Sequence, residues 1–138
     1  SQNSIEKSVD YTYYLAAEDE DTLRRISDAM KRLRIREKVV AIRPHPRYSK
    51  MDIIKDIFSD FEIEDCNEIS IEKSVLRSRN AVSLYSTVLN QAFHNGVNVI
   101  IDDVSNNEYY RKLAKLRYVM LAEKHILLSE LISEEAAK

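Results

Sequence analysis

One glycine stands in 138 residues, with one cysteine and two prolines. A single glycine excludes the Gly-x-Gly-x-x-Gly turn, and with it the dinucleotide form of the nucleotide-binding α/β fold. Any phosphate here must be held mainly by side chains. Cys66 by itself closes no internal disulfide and supplies no thiolate zinc site, which favours a reducing compartment. Neither sign of charge prevails, with 21 Lys and Arg against 23 Asp and Glu, so the chain as a whole is no electrostatic nucleic-acid binder. No wholly apolar run exceeds five residues, as in Tyr118 to Ala122, where a membrane span needs roughly 18. Internal repeats and low-complexity tracts are lacking too. The length suits one domain, 1–138, and the opening Ser-Gln-Asn-Ser, without Met or an apolar leader, reads as part of a longer protein.

What is present is an alternation of periods. Val9 to Leu15 is rich in tyrosine and β-branched residues and predicts a strand. Acidic residues 18–21 then precede Leu23, Ile26, Met30 and Leu33, whose steps of three and four make one stripe of a helix. Val39 to Ile42 reads as a strand buried on both faces. Ser49 is positioned to cap a helix carrying Ile53, Ile54, Ile57 and Phe58. Phe61 to Asp65 alternates like a short strand exposed on one side, and a helix starting at Asn67 or Ser70 runs to about Arg79. Ala81 to Tyr85 is a strand, Thr87 to Asn95 a helix, Gly96 its left-handed cap, and Val97 to Ile101 a fifth strand. Residues 107–138 predict one or two terminal helices. This order predicts a Rossmann-like α/β sandwich of three layers around a mostly parallel sheet of about five strands.

Both prolines flank one histidine, in Arg43-Pro44-His45-Pro46-Arg47, directly after the apolar strand. Proline fixes its own φ and biases its predecessor toward extended geometry, so His45 rides a stiffened loop at the carboxyl edge of a sheet, where open α/β folds bind ligands. An imidazole with guanidinium groups two residues away on each side suits a phosphate. Tyr85-Ser86-Thr87 marks a strand-to-helix junction on the same rim, where hydroxyls and unpaired N–H groups meet an anion. Asp102 and Asp103, also on that rim, could hold a ribose hydroxyl or an acceptor sugar, although capping a turn is the commoner use of such residues. No metal and no cofactor is expected, and His94 reads as a cation at a helix end. Residues 31–50 carry net plus seven and residues 51–70 net minus six. Part of the basic block is solvated helix face, while Arg43 and Arg47 are read as anion contacts. Tyr109, Tyr110, Arg111, Lys112, Lys115, Arg117 and Tyr118 mix aromatic and basic types, a pattern read as a helix docked on protein in preference to a membrane surface.

The run Arg-Pro-His45-Pro46-Arg, some forty residues, Tyr85-Ser86-Thr87, then Gly-Val-Asn-Val-Ile-Ile-Asp resembles the C-terminal, donor-binding half of bacterial glycosyltransferases built from two facing Rossmann-like domains. Within that group it is similar to the sialyltransferases and polysialyltransferases of capsule and lipooligosaccharide synthesis. The similarity covers about residues 38–104. It implies CMP-sialic acid as donor, His45 as the catalytic group on the leaving phosphate, and Ser86 and Thr87 on the same phosphate. It also implies a cytoplasmic enzyme at the inner face of the membrane, and a glycan acceptor held by an N-terminal half. The Asp/Glu-Asp/Glu-Gly motif of that half, which carries the general base, has no counterpart here. An isolated donor-binding half should therefore bind nucleotide and transfer no sugar. Two alternatives stay open: transfer from CDP-glycerol, CDP-ribitol or UDP-sugars by a related enzyme, and a non-catalytic interaction module in which His45 and Ser86 are structural.

Overall fold

The computed structural model describes residues 5–84, 87–116 and 125–138. β1 (Val9–Tyr14) lies at the centre, nearly all of it buried, as its apolar and aromatic run requires. α1 (Glu20–Leu33) starts where the Asp19 carboxylate accepts from Thr22 N–H at 2.8 Å, with Glu20 and Asp21 on the positive end of its dipole and Lys31 and Arg32 on the negative. Leu23, Ile26, Met30 and Leu33 form its buried stripe, as the spacing predicts. β2 (Val40–Arg43), α2 (Met51–Ile57) and β3 (Glu62–Ile63) complete the first half. α3 (Ile71–Arg77), capped by Ser70, passes without a loop into β4 (Ser78–Ser83). α4 (Val88–His94), β5 (Asn98–Ile101), α5 (Asn107–Lys115), β6 (His125–Leu127) and α6 (Leu128–Ala137) follow.

All pairings are parallel and the order is β3-β2-β1-β4-β5-β6. Growing outward from β1, the chain reaches β3, returns through α3, and grows outward again from β4. Tyr13 is paired with Ile42 on one side and Val82 on the other, so the reversal opens a crevice beyond the carboxyl ends of β1 and β4. One core joins Tyr11, Tyr13, Val40, Ile42 and Ile100 to Ile26, Met30, Ile54, Phe58 and Leu131 of α1, α2 and α6. The opposite face packs Tyr14, Ala81, Val99 and Ile101 against Val75, Leu89 and Ala92 of α3 and α4. The three-layer expectation holds.

Four local expectations need correction. The sheet has six strands, not five, because His125–Leu127 joins its edge inside the segment read as purely helical. Leu127 and Leu131 sit four residues apart, a helical interval, so period could not separate strand from helix there; the open backbone groups of β5 decide it. Ser49 does not cap α2: the N-cap is Lys50, with no side-chain bond, and the serine hydroxyl serves the His45 loop. β4 begins at Ser78, since α3 ends in extended backbone with φ −98° and ψ 138°. Glu64, read as the exposed side of an alternating strand, is buried. Gly96 does take the left-handed cap, with φ +72°. Scarce glycine leaves a second left-handed turn to Arg36 and Glu37, at φ 52° and 65°.

Candidate functional site

Pro44 is buried, and beyond it the chain folds back on His45. The His45 N–H donates to Ser49 Oγ at 2.8 Å, and Ser49 N–H donates to the His45 carbonyl at 3.2 Å. Arg47 and Tyr48 both point their backbone N–H groups at His45 Nδ1, at 3.0 and 3.3 Å. The Tyr48 ring stacks on the imidazole with centroids 4.5 Å apart. These contacts fix a tautomer: an Nδ1 that accepts leaves the ring proton of neutral histidine on Nε2. Among the described residues, no hydrogen bond uses Nε2.

Behind the loop lies a polar cluster that sequence reasoning missed. The Glu64 carboxylate, whose side chain is 0% exposed, meets Arg43 at 3.3 Å and Arg77 at 2.6 Å, and accepts from Ser74 Oγ at 2.6 Å. Ser74 in turn meets the Tyr14 hydroxyl at 2.8 Å. Arg43 also donates to the Ile69 carbonyl at 2.6 Å. One end of its guanidinium thus holds the end of β2 in place, and Arg43 also lines the cavity beside His45. Arg47 is exposed and its side chain is turned to no partner among the described residues. A charge pattern could not reveal this cluster, because a carboxylate two residues from another in an alternating segment reads as solvated.

His45 borders a cavity of about 320 Å³ at the carboxyl rim of β1 and β2, closed on its far side by Thr87, Val88 and Gln91 at the start of α4. Tyr14 and Leu15 form its floor and Pro44 and Pro46 part of its wall. Thr87 is the N-cap residue of α4 but makes no capping bond, so its hydroxyl is not consumed by the helix. Tyr85 and Ser86, the other members of that motif, lie outside the described residues. A second cavity of about 400 Å³ lies on the other side of the His45 loop, between α2 and the stretch after β3, with Lys55, Asp65, Cys66 and Asn67 in its wall.

The Asp102-Asp103 pair is spent internally. Asp102 is 0% exposed; its Oδ2 accepts from the Tyr13 hydroxyl at 2.6 Å and its Oδ1 from Val104 and Ser105 N–H at 2.8 and 2.9 Å. A ribose hydroxyl has no route to it. Burial, and then this neighbouring carboxylate, push the Tyr13 phenol well above its ordinary range. Asp103 accepts from Ser129 N–H at 2.9 Å and from Ser129 Oγ at 2.5 Å, tying the turn after β5 to the first turn of α6. The turn-capping use of both residues is the one observed. His94 closes α4 and packs edge-on against Phe93. In α5 Tyr110 packs against the core of the α3 and α4 face and Leu113 is buried, while Arg117 and Tyr118 lie outside the described residues.

Neither a protein-family model nor a curated protein matches the chain. The meaning of the site therefore has to come from these side chains. Among the described residues no three His, Cys, Asp or Glu side chains converge as a metal site, and no helix is long and apolar enough to cross a membrane. What the rim offers is a proton-bearing imidazole nitrogen, a free hydroxyl and a shared cavity at a reversal of strand order.

Proposed function

We propose that this chain is the donor-binding half of a glycosyltransferase of the bacterial sialyltransferase type, acting in capsule or surface polysaccharide synthesis on a CMP-sialic acid donor. The observation that carries the reading is His45: its Nδ1 is held as an acceptor by two backbone N–H groups, and the same residue shares a rim cavity with Thr87. Held so, Nε2–H is a hydrogen-bond donor for a phosphate oxygen. As the bond between the sugar and CMP breaks, negative charge gathers on that oxygen, and a preset donor stabilises it more as the charge grows. The Thr87 hydroxyl, with Ser86 beside it in sequence, would hold the same phosphate. The acceptor hydroxyl loses its proton to a carboxylate of the N-terminal half, which also holds the glycan. The full enzyme would work in the cytoplasm, at the inner face of the membrane.

A thermal melt against CMP, CDP, UMP, UDP and GDP tests this. CMP at about 100 times its dissociation constant should add roughly 2.7 kcal/mol of stability, and His45→Ala should remove most of that gain. A preference for UDP would keep the fold and remove the CMP-sugar donor; a preference for CDP would point to transfer from a CDP-alcohol. No shift with any nucleotide would overturn the reading in favour of an interaction module.

A further inference from the structure

The crevice at the strand reversal holds another cavity, of about 440 Å³. It lies between the turn after β1, Leu84 after β4, and Asn106 and Tyr109 at the start of α5. Among the described residues its wall contains no lysine and no arginine. Arg25, on α1 beside the wall residue Thr22, donates to the Ser105 carbonyl at 2.5 Å and to Thr22 Oγ1 at 3.3 Å. Below lies Asp102, a buried carboxylate held by a phenol and two backbone N–H groups and by no cation among the described residues. An anion is therefore unwelcome here, in contrast to the His45 cavity.

The wall mixes the two kinds of surface that a sugar presents. Both Glu18 oxygens meet the Ala16 N–H, at 2.8 and 3.0 Å, and the carboxylate's four lone-pair sites leave accepting capacity beyond its backbone donors. Among the described residues Asn106 uses only its carbonyl oxygen, accepting from Tyr109 N–H at 3.1 Å, and its amide protons remain as donors. Tyr109 is 38% exposed, offering an aromatic face, and Ala16, Ala17 and Leu84 supply apolar wall. We infer that this cleft binds a neutral, hydroxyl-rich sugar ring, with Glu18 accepting from adjacent hydroxyls and the Tyr109 ring covering a C–H face. The site is a second one on the rim, and it stands whether or not His45 binds a nucleotide.

The test is an amide NMR titration of the whole chain with three probes: methyl β-galactoside, glucosamine as a cation, and N-acetylneuraminate as an anion. The neutral glycoside should move the amides of Ala16, Ala17, Glu18 and Tyr109 and leave those of His45 and Thr87 in place. Glu18→Ala and Tyr109→Ala should each weaken it by about tenfold, the loss expected for one charge-assisted bond or one ring contact. A response to the amine alone would mean a cation site, a response to N-acetylneuraminate alone an anion site, and no localised response an empty crevice; each overturns the inference. CMP added in the same experiment reads out at His45 and Thr87, so failure of one site is separable from failure of the other.

Discussion

His45 is functional in prospect because of what its own backbone does, and Glu64 is indispensable because of what it neutralises. Among the described residues its carboxylate is the one acid that reaches both Arg43 and Arg77, Arg77 meeting Glu62 as well, and it ties the ends of β2 and β3 to α3. Removing one partner from a buried charge network leaves Arg43 without its acid, while Arg77 keeps Glu62, so Glu64→Ala should lower stability by about 3–5 kcal/mol. Glu64→Gln, which keeps an acceptor of the same shape, should lose less. Urea unfolding measures both, and an Ala variant within about 1 kcal/mol of the parent would sink the idea. At this scale the sequence spoke unevenly. Asp102 as a turn-capping residue was legible because Asp-Asp after a strand has that local chemistry. The pairing of Arg43 with Glu64 was not legible, since the two lie 21 residues apart and no local rule joins them.

Elements were legible where local chemistry and tertiary demand agree. α1 has its acidic start, its capping aspartate and an unbroken stripe, and it folds as its spacing says. α3 is short and its stability leans on Ser70, whose hydroxyl accepts from Lys73 N–H at 3.1 Å. Ser70→Ala should cost about 0.5–2 kcal/mol in equilibrium unfolding, and no loss would mean the helix is held by packing alone. Ser49 shows the limit of such rules: a serine before a helix is a cap by type, yet its hydroxyl goes to His45 N–H because the Pro44 turn brings that donor within 2.8 Å. β6 was invisible for a related reason. Three residues carry too little period to declare a strand, and the edge of β5 makes them one.

At the scale of the whole molecule, stability should depend on pH through the crevice. Burial, with a smaller push from Asp102, raises the Glu18 carboxyl above its ordinary range, against backbone hydrogen bonds that pull it down. Between the unfolded and folded values the folded chain holds a proton the unfolded chain has released, so stability falls as pH rises through that window. Glu18→Gln should abolish this contribution: the stability of the variant relative to the parent should grow as pH rises across the carboxylate range. A difference that stays constant in urea unfolding at a series of pH values would show that Glu18 does not carry it.

Sequence alone determined the alternation of strand and helix, the three layers, the stiff Pro-His-Pro loop at a strand end and the want of a glycine cradle. Each is a matter of local backbone preference or of hydrophobic period, which neighbours in the chain suffice to set. Tertiary structure decided the strand order, the sixth strand, the burial of Glu64 between two arginines and the cavity that His45 shares with Thr87. These depend on which unpaired backbone group or buried charge lies opposite, and residues 20 to 80 positions apart supply the answer. One glycine in 138 residues left the phosphate chemistry to side chains; only the fold shows which of them are free to perform it.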